Sequence, residues 1–209
     1  RAENESQSPL SPLNERCLNL TLSDMGKSCA KTISFFRIVQ RVYVLFSGST
    51  KRWKVLLEHV PSLTVKSLCN TRWESRIKSV KAIRYQAPEI RSALLYLRES
   101  NDVEPNHKSD AQNLFEVVGT FKFILGTIIL HGILFVVNIV SKKLQSPSTC
   151  IESTLQQIKG IMIYFHKYIN EVFASSLIIA KDIASEMGVN ASFLVKCHEP
   201  RKRQLDEIE

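Results

Sequence analysis

The chain has 209 residues, 44% of them hydrophobic and 23% charged, enough to bury one core and too apolar for a wholly disordered chain. Seven glycines and seven prolines are few for an all-β fold, which needs a turn at about every tenth residue. The net charge of +8 favours an anionic partner, nucleic acid before a membrane surface, although solubility alone accounts for it as well.

Residues 1–12, RAENESQSPLSP, are polar and aperiodic with two prolines, and are expected to form a disordered lead-in. Arg1 in place of a methionine gives the expectation of a fragment. A single helical domain is expected over 13–198, and the charged stretch 199–209 is expected to be a frayed tail. Leu13, Leu20, Ile33, Phe36, Val39, Tyr43 and Phe46 fall near helical spacing, with Gly26 as a break, and Ser47-Gly48-Ser49 ends that element. Ser49 or Thr50 then caps a short helix through Leu57, closed by Pro61. Residues 62–70 lean towards extended structure but are short, and read as a loop.

A long helix is predicted from about Arg72 to Arg98, with Pro88 forcing a kink or a fresh start inside it. Residues 100–109 read as a polar loop. Residues 123–140, FILGTIILHGILFVVNIV, are apolar and long enough to suggest a membrane span. Their polar positions, continued on both sides as Asn113, Glu116, Thr120, Thr127, His131, Asn138, Lys142 and Gln145, fall within an arc of about 80° at about 100° per residue. A lipid-spanning helix has no reason to keep such a stripe in phase beyond both ends. A core helix touching solvent along one edge does, with Lys122 the one awkward residue, and no membrane partner is expected. Helical periodicity returns from Cys150 to Met187, with Gly188 as its stop.

Familiar catalytic patterns are missing: the chain has no HExxH, Walker loop, GxGxxG or GxSxG. Its five cysteines (Cys17, Cys29, Cys69, Cys150 and Cys197) are scattered without a CxxC pair, which suggests neither a disulfide framework nor a zinc site. A reducing compartment fits best, the nucleus or alternatively the cytoplasm. The sequons at Asn19 and Asn190 would matter only in a secreted protein. No cofactor and no metal ligand set is expected, and His131 reads as a structural histidine.

One stretch does suggest a site: Asn70-Thr71-Arg72-Trp73-Glu74-Ser75-Arg76, followed by Lys78, Lys81 and Arg84. At a helix start, Arg72 offers a guanidinium for phosphate and Trp73 a flat ring for a base. Arg76, Lys81 and Arg84 recur along the next turns and can track a backbone. The alternative is that Trp73 packs inward and the cations form an ordinary solvated face.

The run from FFRIVQRVYVLFSGSTKRWKVLLEHV through NTRWESRIKSVKAIRYQAPEIRSALL, and the later ILFVVNIVSKKLQS, resemble zinc-finger MYM-type protein 1-like proteins. These are relatives of hAT-superfamily transposases that often carry a DUF4371-type region. The resemblance extends from about Leu18 to Glu209. It implies an all-α fold, the helical insertion domain of an RNase H-like hAT transposase, with little or no sheet. Leu18-Asn19-Leu20 resembles the end of the family's CxxHxLNL motif, whose cysteine and histidine would fall on Leu13 and Arg16 and are therefore missing. Arg72-Trp73 matches the family's RW motif, whose tryptophan helps hold a flipped base. The family's catalytic acids are expected outside this segment, and Asp24, lying after the motif, cannot be assigned as one. The resemblance thus implies a soluble, non-catalytic segment that binds DNA, a protein partner or a second copy of itself. The rivals are a piece of a longer active transposase and a helical protein-interaction scaffold that binds no DNA.

Overall fold

The computed structural model describes residues 29–60, 62–63, 65–68, 73–144 and 151–193. The expected lead-in, the LNL motif, Asp24, Arg72 and the expected charged tail lie outside the described residues. Among the described residues the chain forms α-helices and one π-helical segment, with no strand, so the fold is all-α.

Helix α1 (Ala30–Ser47) turns Phe35, Phe36, Val39, Val42, Leu45 and Phe46 inward, a spacing of three and four residues that keeps them on one face. It ends at Gly48, whose backbone N–H donates to the Val44 carbonyl, and Arg52 Nε donates to the Leu45 carbonyl at 2.7 Å. That guanidinium lies so close over Gly48 that an added Cβ would meet Arg52 Nη2 at 2.9 Å. Ser49 occupies the cap position of α2 (Thr50–His59) but its side chain makes no capping bond.

Helices α3 (Trp73–Tyr85) and α4 (Ala87–Glu99) replace the predicted long helix, with Pro88 in the first turn of α4. A proline there lacks only an N–H that would have had no partner, so the chain restarts instead of kinking. The polar stretch 100–109 is a loop only at its beginning. Helix α5 (Pro105–Val118) starts inside it, again on a proline. Helix α6 (Phe121–Leu144) contains the apolar stretch. Helix α7 (Ile151–Lys167) continues through the π-helical turn Tyr168–Val172 into α8 (Phe173–Glu186). Gly188, at φ +63°, takes the left-handed conformation that stops α8, while the Val189 N–H reaches back to the Ala184 carbonyl.

The closest packing joins α4 to α5, α3 to α6 and α6 to α8, while α1 rests on α2 and α5. Phe46, Leu56, Ile83, Ile90, Leu94, Leu97 and Leu114 are the largest fully buried side chains, each worth about 1.5–3 kcal/mol of apolar burial. Glutamine Gln86, between α3 and α4, binds the 62–63 segment through Ser62 Oγ, Leu63 N and Leu63 O. Ser79 does the same for Lys66, donating to its carbonyl and accepting from its N–H.

The polar stripe of α6 does not face solvent as expected. Thr127 and His131 of that stripe are buried and Asn138 is half-buried, Lys142 at the end of the helix is exposed, and Phe135 and Ile139 are exposed instead. The reason is a polar partner across the helix interface: Arg84 of α3 meets His131, and Thr127 Oγ1 donates to the Phe123 carbonyl of its own helix. Lys122 is exposed. By length and composition Phe121–Lys143 could cross a membrane, and its first half is also the part of α6 most enclosed by neighbouring helices.

Candidate nucleic-acid interface

Helix α3 carries every described residue of the predicted site. Its inward face is Ile77, Val80, Ala82 and Ile83, with Ser79 between them. Glu74, Lys78, Lys81 and Tyr85, four and three residues apart, form its solvent face. Glu74 pairs with Lys78 at 2.9 Å, and the Lys78 hydrogen bond holds the Glu74 carboxyl below its usual pKa. Lys81 is exposed and makes no ion pair among the described residues.

The predicted row of cations is divided by this geometry. Trp73 opens the helix, one residue after Arg72. Arg76 is buried, its guanidinium carbon 5.0 Å from the centre of the Phe36 ring. A guanidinium held over an aromatic face is a packing element that ties α3 to α1. Arg84 is half-buried and donates from Nη1 to His131 Nδ1 at 2.6 Å, while its carbon lies 5.2 Å from the Tyr85 ring centre. Because arginine only donates, the accepting Nδ1 is unprotonated and His131 is neutral. Burial, then the charges of Arg84 and Lys81, push the His131 pKa down to about 4. So of Arg76, Lys81 and Arg84, Lys81 alone presents its charge to solvent on α3, next to Lys78.

A second basic and aromatic cluster lies at the junction of α1 and α2, and the sequence reading passed over it. Tyr43 and Trp53 stand edge to face, ring centres 6.1 Å apart, and border an open groove of about 360 Å³ with Ser47, Ser49 and Thr50. The available signal was the tripeptide Lys51-Arg52-Trp53, which repeats at a helix start the Arg-Trp pair of residues 72 and 73. In isolation each pair reads as ordinary helix-surface composition.

Among the described residues no three His, Cys, Asp or Glu side chains converge, and the chemistry of both clusters is cationic and aromatic. No protein-family model, curated protein or solved structure matches the chain.

Proposed function

We propose that this segment is the non-catalytic helical insertion of a transposase-derived protein of the zinc-finger MYM-type protein 1-like kind, and that it binds nucleic acid with Arg72 and Trp73 at the start of α3. The observation that carries the reading is that Trp73 is the first residue of a helix whose solvent face carries Lys78 and Lys81. Cations on that face can displace counterions along a phosphate backbone, and an aromatic ring beside them can stack on an exposed base. Arg76 and Arg84 support the site from beneath, by fixing α3 against α1 and α6. The DNA-binding role places the protein in the nucleus.

Binding to single-stranded or distorted ends, measured against salt, tests this. Trp73→Ala should weaken it by about 1–3 kcal/mol, the worth of one stacked base, with a smaller loss on intact duplex. Arg72→Ala should weaken both and flatten the salt dependence. Equal loss on every substrate together with a lowered Tm would make Trp73 a packing residue.

A second reading, a protein-binding scaffold, is favoured by the apolar side chains Leu155, Ile158, Met162 and Ile163 exposed on α7. Nucleic-acid affinity unchanged by both α3 substitutions would favour it.

A further inference from the structure

We propose that the groove between the end of α1 and the start of α2 is a second nucleic-acid contact, one that takes a single unpaired nucleotide with its base against Trp53 and Tyr43 and its phosphate at Lys51. The proposal rests on the nucleic-acid reading above but on different residues.

The groove, about 360 Å³ and open to solvent, is of the size that holds small ligands. Its lining is mainly aromatic, with hydroxyls beside the rings. Two half-buried aromatic rings form one side, fixed by their edge-to-face contact and by packing on the core. Three hydroxyls, from Ser47, Ser49 and Thr50, form the rest, and none of them makes a hydrogen bond within the described residues. Two rings at nearly right angles beside a row of hydroxyls suit a base laid on one ring and joined to a sugar and phosphate better than they suit an aliphatic side chain.

The charges select the same occupant. Lys51 is exposed and makes no ion pair among the described residues, and Lys54 is held only by a long 3.9 Å contact to Glu58. Arg52, between them, is not available, because it caps the α1 carbonyl of Leu45. Lys51 follows Thr50 of the groove's lining in sequence, and an exposed ammonium near aromatic rings is a combination that sequence-tolerant single-strand sites use. A duplex presents its bases already stacked and offers nothing for Trp53, so the groove should prefer unpaired strands.

The test is anisotropy of a fluorescein-labelled oligothymidine of twelve residues, titrated with the whole chain and its variants at matched folded fraction. Trp53→Leu should weaken binding roughly 5- to 150-fold, and Trp53→Phe, which restores a ring, should recover most of it. Lys51→Glu, at an exposed position, should weaken binding and make it less steeply dependent on salt. A duplex of the same length should respond less to Trp53→Leu than the single strand does. Should Trp53→Leu not fold, Lys51→Glu and Trp53→Phe decide alone. Wild-type affinity in Lys51→Glu and Trp53→Leu overturns the groove. If Trp73→Ala alone loses binding, the α3 site stands without it. If the wild-type chain binds neither strand nor duplex, both proposals fall.

Discussion

Helices α4 and α8 are of similar length, yet they bury opposite kinds of side chain. Helix α4 turns Ile90, Leu94 and Leu97 inward and leaves Tyr96 outside. Helix α8 turns Ser176, Ala180 and Ala184 inward, each four residues apart, and exposes Phe173 and Ile178. The contrast extends to their surroundings. Helices α1 to α5, with Val60 and Val65 between α2 and α3, supply every one of the largest fully buried side chains among the described residues. The second half of α6, with α7 and α8, exposes Phe135, Ile139, Met162 and, at 70%, Ile163. Burial of large side chains stabilises the first region by the area removed from water, whereas small residues in the second mainly allow helices to approach closely. Gly132 makes the same kind of approach: Tyr168 rests against it and donates to the Ile129 carbonyl at 3.0 Å, and a Cβ there would meet the hydroxyl at 2.5 Å. The molecule thus has one region built on large buried side chains and another joined to the same core mainly through small ones.

The largest effect expected from this contrast is at Leu94. Leu94→Asp places an unpaired carboxylate among fully buried neighbours and should abolish cooperative unfolding, with loss of the helical circular-dichroism signal at room temperature. A normal unfolding curve would mean that the first region is not the stable core. Ala180→Leu overfills the α6–α8 seam and should cost about 1–3 kcal/mol in urea unfolding. Hydrogen exchange should then rise in α8 while α4 stays protected, and equal loss in both would dissolve the distinction between the two regions.

Acid should act at the join between them. His131 is buried neutral with a pKa lowered to about 4, below its unfolded value of about 6.5. Its contribution is therefore complete above about pH 6.5 and is lost as pH falls towards 4, because the unfolded chain binds the extra proton first. Tm should decline across that window in the wild type and decline less in His131→Gln; an identical decline in both would remove His131 as the cause. The smallest effect is expected on the outer stripe of α7. Leu155→Gln replaces a side chain that is 54% exposed, and should shift stability by no more than about 0.5 kcal/mol. A loss of several kcal/mol would show that this stripe is packed in solution.

Local backbone chemistry was readable directly from the residues. The restart at Pro88 and the left-handed Gly188 each follow from what one residue permits its own backbone to do, and the structure has both, as it has the stop at Ser47-Gly48-Ser49, where Gly48 keeps a right-handed conformation. Residues of α1 were likewise legible as amphipathic, because its apolar positions repeat at the helical period and nothing competes for that face. Pro105 was missed since the same residue that opens α5 is equally at home in the loop that was predicted around it.

Tertiary structure decided whatever depended on a partner from another helix. In α6 nearly every side is apolar, so burial area alone ranks its faces poorly, and the inward side was chosen by Arg84 reaching His131. Arg76 looked like a surface cation until Phe36 supplied a ring for it to cover. The groove beside Trp53 joins Tyr43 to residues 49–53, and it exists only because α2 folds back on α1. A chain encodes the period of its own helices within a few turns, but a contact across ten or more residues depends on geometry that no single window contains.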